Sequence, residues 1–108
     1  MKEPPPTAGF LPCSRGWDFF GNSCYFFSDV AASWENSQIF CRALGAELLQ
    51  VDDAAEKLHV QAQLRGPSWI RELDPKSSLE KCGAVGPDGL RAEFPCGTPL
   101  SWVCEEPL

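Results

Sequence analysis

Cys82-Gly83-Ala84-Val85-Gly86-Pro87-Asp88-Gly89-Leu90-Arg91-Ala92-Glu93-Phe94-Pro95-Cys96, followed by Gly97-Thr98-Pro99-Leu100-Ser101-Trp102-Val103-Cys104, holds three of the chain's six cysteines. Cys82 to Val85 is small and apolar, and Gly86-Pro87-Asp88-Gly89 is a strong turn signal. Leu90 to Phe94 then alternates apolar and polar residues, so the stretch reads as a hairpin with a cysteine on each arm. Pro95 and Pro99 bracket a second turn, and Leu100 to Cys104 makes a last short strand whose Trp102 is large enough to anchor a core. A cysteine this close to the end of the sequence has to reach far upstream for a partner.

Upstream, residues 1–12 carry Pro4, Pro5, Pro6 and Pro12 and read as the end of a proline-rich stalk, leaving 13–108 as one domain. From Cys13, Trp17-Asp18-Phe19-Phe20 and Ser23-Cys24-Tyr25-Phe26-Phe27 flank the turn Gly21-Asn22 as two aromatic strands, and a bond between Cys13 and Cys24 would clamp them. Ser33 caps a helix from Trp34 to about Leu44, with Trp34, Cys41 and Leu44 on one face and Gly45 as its stop. Glu47 to Val51 reads as a buried strand. Asp53 and Glu56 form a capping box for a second helix that ends before Gly66-Pro67. Trp69-Ile70 opens another strand, which turns charged and leads into Cys82.

Composition bounds the class. At 108 residues and 44% hydrophobic, with four Trp and seven Phe, the chain can bury a modest core of its own. A formal net charge of -6 without any Lys or Arg run supplies no phosphate-binding footprint, so nucleic acid is not an expected partner. No apolar run approaches the roughly 20 residues needed to span a bilayer, and the first residues lack the apolar region of a signal peptide. No two cysteines stand in a CxxC arrangement, which weakens zinc and thioredoxin-type readings, and an even count in a short chain favours disulfides among fifteen pairings. Disulfides need an oxidising compartment, so the sequence is expected to be the extracellular part of something longer, anchored upstream.

Trp17-Asp18-Phe19-Phe20 through Phe27, Ser33-Trp34 through Val51, the capped second helix, Trp69-Ile70, and the ending Trp102-Val103-Cys104-Glu105 together resemble the C-type lectin-like domain from Cys13 to Glu105. The ending is similar to that of killer cell lectin-like receptors, subfamily G especially. The resemblance implies an α+β fold with two helices and short antiparallel sheets, stapled by Cys13–Cys24, Cys41–Cys104 and Cys82–Cys96. It also implies a non-catalytic, single-pass type II receptor of the natural killer cell kind, whose extracellular part meets a protein on another cell. A cadherin-like ligand is implied by the subfamily, and pairing into a homodimer is left open. The family usually places Gly and Leu after the Trp-Ile pair, and then a long ligand-binding loop. Here Arg71 and Glu72 stand in those places and the loop region before Cys82 is shortened.

Candidate chemistry is sparse. His59 is followed by Val60, whereas a secreted phospholipase would place Asp there. No His–carboxylate or Ser–His pair is evident, so a disulfide-rich hydrolase is the weaker alternative. Asp52-Asp53 reads as a helix cap before it reads as a metal site, and Glu105-Glu106 as a solvated end. Tyr25, Phe26, Phe27, Trp17, Trp34 and Trp102 read as core before they read as a sugar-stacking platform. In the resembled lectins, calcium and sugar are held by a Glu-Pro-Asn or Gln-Pro-Asp motif in the long loop and Trp-Asn-Asp before the fifth cysteine. Here only Glu93 could ligate before Cys96, with Asp74, Glu80 and Asp88 scattered, so no metal or other cofactor is expected. A calcium-dependent carbohydrate-binding lectin remains the other alternative. The interface candidates are Glu80, Lys81, Asp88, Arg91 and Glu93, on or beside the Cys82–Cys96 hairpin.

Overall fold

The computed structural model describes residues 13–51, 53–71 and 81–108. The expected stalk, Asp52, Asp74 and Glu80 lie outside the described residues. Among the described residues, seven strands form one sheet: β1 (Asp18–Phe20), β2 (Ser23–Phe27), β3 (Glu47–Leu48), β4 (Ser68–Trp69), β5 (Lys81–Val85), β6 (Arg91–Pro95) and β7 (Ser101–Pro107). The order is β1-β2-β7-β4-β5-β6, with β3 also paired to β7. β2 runs antiparallel along one flank of β7 from Phe27↔Val103 to Ser23↔Pro107. On the other flank, β4 pairs at Ser101 and Trp102 and β3 at Cys104 and Glu105. β7 is therefore the spine of the sheet.

Two helices cover the two faces. α1 (Trp34–Ala43) starts where the Ser33 hydroxyl accepts the Asn36 N–H and stops at Gly45, whose positive φ of 80° suits glycine. α2 (Ala54–Gln61) starts where Asp53 accepts the Glu56 N–H at 2.7 Å. On the α1 side, Cys41, Leu48, Trp69, Trp102 and Cys104 form one core cluster. Tyr25, Leu49, Val60, Ile70, Val85 and Val103 form another on the α2 side. Two indole donors lace the first cluster together, Trp34 Nε1 to the Ile70 carbonyl at 3.0 Å and Trp69 Nε1 to the Ala32 carbonyl at 2.8 Å. The aromatic side chains thus serve the core, as the sequence reading favours.

Several local expectations shift. Leu44 is the C-cap of α1 and has left helical phase, so it is 46% exposed instead of sharing the core face with Cys41. The sheet is mixed, because β4 meets β7 in parallel. The last strand runs to Pro107, since β2 continues to pair with it beyond Cys104. The strand expected over Glu47 to Val51 pairs only at Glu47–Leu48, although Leu49 is also fully buried.

Three disulfides join Cys13 to Cys24, Cys41 to Cys104 and Cys82 to Cys96, the pairs that the resemblance implies. Cys41–Cys104, with a sequence separation of 63, ties α1 to β7 inside the first core cluster. Loop entropy gives it about 4 kcal/mol and the two shorter loops roughly 3 each. Cys41→Ala with Cys104→Ala should therefore abolish cooperative folding, while Cys13→Ala with Cys24→Ala should fold with a lowered Tm. Equal melting temperatures for the two double variants would refute that ranking.

Candidate functional site

The β5–β6 hairpin carries the candidate interface. Gly89 closes its turn at φ 81°, with its N–H on the Gly86 carbonyl and Asp88 Oδ1 accepting the Leu90 N–H. In the register Lys81↔Pro95, Gly83↔Glu93, Val85↔Arg91, opposed residues share a face. Lys81, Arg91 and Glu93 consequently lie on the same face as buried Val85, the α2 side of the sheet. Cys82, Ala84 and Phe94 take the α1 side. All three charged residues and Asp88 are exposed, and β6 is an edge of the sheet among the described residues. The sequence did not nominate Lys57. A Cβ on Gly89 would come within 3.2 Å of Lys57 Cε and 2.5 Å of Gln61 Oε1, so α2 rests directly on the hairpin turn and adds its charge to this side.

A second polar constellation, invisible in the sequence, lies under α2. The Tyr25 hydroxyl donates to Oε2 of Glu56, whose side chain is buried. Ser23 Oγ donates to Glu105 Oε2 at 2.9 Å. Burial, then the adjacent Glu56 carboxylate, pushes Glu105 up to about 7, against the Ser23 hydroxyl and the Gln50 backbone N–H that favour its charged form. Burial first and Glu56 second raise the Tyr25 phenol, which stays protonated as the donor. Glu105 is thus a partner inside the fold and not the solvated end that its position suggests.

His59 also has a partner after all. Its Nε2 meets Asp18 on β1, its ring stacks on Phe20 with centroids 4.2 Å apart, and the Gln63 amide donates to the same Asp18 carboxylate at 3.3 Å. Forty-one positions separate the pair in sequence, so no local signal marks it. Among the described residues, no hydroxyl or thiol is hydrogen-bonded to this imidazole. The pair fastens the β1–β2 hairpin to α2. Among the described residues, no three His, Cys, Asp or Glu side chains converge as a metal site. No helix among them is long and apolar enough to cross a membrane.

No family model matches the chain. CD209 antigen-like protein D of Mus musculus is 43% identical over 61 residues, taking in 55% of this chain and 26% of that protein. Killer cell lectin-like receptor subfamily G member 1 of Homo sapiens is 30% identical over 113 residues, taking in 87% of this chain and 57% of the receptor. The chain thus spans roughly a quarter and somewhat over half of these two relatives. The 113 aligned positions exceed the share of this 108-residue chain that enters them, so the alignment crosses positions that this chain leaves unfilled. Among solved structures, the mouse scavenger receptor C-type lectin carbohydrate-recognition domain superimposes with a TM-score of 0.76 at 19% identity, covering 88% of this chain and 96% of that one.

The Glu105 shift sets a pH dependence. A carboxyl whose folded pKa of about 7 exceeds its ordinary 4.5 stabilises the fold at acidic pH and loses that contribution as pH rises from about 4.5 through 7. Because Glu105 is only half-buried, the effect amounts to about 1–2 kcal/mol, or a few degrees in Tm. Raising pH from about 5 to 8 should lower the Tm, and Glu105→Gln should flatten that slope. Parallel pH profiles for the two proteins would remove Glu105 as the cause.

Proposed function

The chain is a C-type lectin-like domain by its fold and its relatives, and from that premise we propose that it recognises a protein ligand without calcium, as the non-catalytic extracellular part of a cell-surface receptor. The observation that carries this reading is the one-sided gathering of charge. Lys81, Asp88, Arg91 and Glu93 stand on the exposed edge hairpin, and Lys57 reaches it from α2. A rigid sheet edge with both signs of charge, stapled by Cys82–Cys96, suits a protein surface of complementary pattern. Such a ligand is expected on an opposing cell, and a cadherin-like protein is the first to try, given the likeness to subfamily G. Glu80 belongs to the proposed surface by sequence. Anchoring as a single-pass type II membrane protein, and pairing into a homodimer, are part of the same proposal.

The calcium-dependent lectin reading rests on the fold shared with a carbohydrate-recognition domain. Against it, the strand before Cys96 brings one carboxylate, Glu93, where calcium takes six to eight oxygen ligands. A built site would raise stability by mass action in proportion to the excess of calcium over its Kd. Tm should be the same in millimolar calcium and in chelator. A rise of several degrees would put the lectin reading first.

Charges at the rim of an interface act mainly on association. Arg91→Glu and Lys81→Glu should each slow binding to a cadherin ectodomain several-fold, with dissociation nearly unchanged and the difference shrinking at high salt. The measurement is surface plasmon resonance. Unchanged association rates for both variants would move the contact off the hairpin.

A further inference from the structure

A cleft of about 450 Å³ opens at the end of the sheet that holds the starts of β4 and β7. One wall is the loop Ser28–Ala31 that follows β2, the other is the chain leaving α2, and none of its lining residues belongs to the charged hairpin. Its size lies within the range of roughly 300–1,000 Å³ that accommodates compact organic ligands. Phe27, Leu64, Pro67 and Leu100 give it apolar surface. Asp29 stands on the first wall and Arg65 on the second. Among the described residues, neither makes an ion pair or a side-chain hydrogen bond, with each other or with anything else. Ser28 is used up by the fold, its Oγ donating to the Val30 carbonyl and accepting the Trp102 N–H. Among the described residues, the backbone N–H groups of Val30 and Ala31 make no hydrogen bond, while Ala32 next to them pairs with Leu100 in both directions.

We propose that this cleft binds an extended segment of a partner protein in which an acidic and a basic side chain flank an apolar one. The apolar side chain fills the floor, and the two charges meet Arg65 and Asp29 across it. Opposed, unpaired charges on the two walls of a partly apolar cleft are complementary to a ligand that carries both signs. They repel neither end of it despite the chain's net charge of -6. The unpaired amides of the Val30–Ala31 loop offer donors to a peptide main chain, in the manner of strand addition. A free ion of either sign would satisfy only one wall. The proposal is independent of the hairpin reading and stands or falls on different residues.

The test uses the full 108-residue chain and a capped tripeptide, acetyl-Glu-Leu-Arg-amide, followed by amide chemical shifts in a titration to about 10 mM, where affinities near the millimolar range are measurable. Saturable shifts should cluster at Asp29–Ala31, Leu64–Ser68 and Leu100–Ser101. Arg65→Glu should weaken binding at least five-fold, and the double variant with Asp29→Lys should bind acetyl-Arg-Leu-Glu-amide, whose two charges have changed places, in preference to the original peptide. Both positions are exposed and unpaired, so the variants should keep the wild-type fold and spectrum. The neutral peptide acetyl-Gln-Leu-Gln-amide should bind several-fold more weakly than the charged one. Equal affinity for the two peptides, shifts centred on Lys81–Pro95, or no saturable shift at all would each overturn the proposal.

Discussion

β7 is buried on both faces, and the rest of the structure follows from what its alternating side chains need. Trp102 and Cys104 enter the cluster beneath α1, and Val103 enters the one beneath α2. A strand with two buried faces must be covered twice, which is why a chain this short spends one helix on each side. Its position in the middle of the sheet requires hydrogen-bonded neighbours on both edges. β2 supplies one edge along its whole length, while β3 and β4 share the other, one after the other. The same constraint puts Glu105, the next residue of the strand, where water reaches it only in part. A carboxyl there has to be hydrogen-bonded, and Ser23, Glu56 and the Gln50 backbone meet that requirement.

The staples act on the same element. A domain of about this size hides a smaller fraction of its unfolded surface than a larger one does, so apolar burial leaves little margin over chain entropy. Cys41–Cys104 fixes α1 against the middle of β7 and so adds its contribution where loss of contact would open both core clusters. Cys13–Cys24 and Cys82–Cys96 act at opposite ends of the strand order, on β2 and on the β5–β6 edge. The sheet is thus tied at its centre and near each margin. Its exposed side chains are carried on fixed backbone.

Features decided by neighbours in sequence were legible beforehand. The two hairpin turns, the Ser33 and Asp53 caps and the Gly45 stop each depend on a few adjacent residues, and each is where the spacing put it. The parallel contact of β4 with β7 was not legible, because two residues of strand carry no signal for direction. Tyr25 with Glu56 and Asp18 with His59 join positions 31 and 41 apart, and neither member of either pair is unusual in its own segment. Of the candidate interface, the hairpin itself was readable from its turn and its cysteines. The contribution of Lys57 was not, since only the close approach of α2 to Gly89 brings it there.

That approach bears on whether the charged hairpin is more than ordinary protection of an edge. Charged residues on an edge strand prevent unwanted pairing whether or not anything binds, so Arg91 and Glu93 on β6 are explained by solubility alone. Edge protection, however, places no demand on a helix. The positive φ of 81° calls for the glycine in the turn, and the side-chain ends of Gln61 and Lys57 on α2 lie beside it. Edge protection needs only β6, whereas here the side-chain ends of a second element, α2, also lie beside the hairpin turn. Under the reading proposed above, charge from two elements on one side of the sheet would let a partner of complementary pattern be favoured over others.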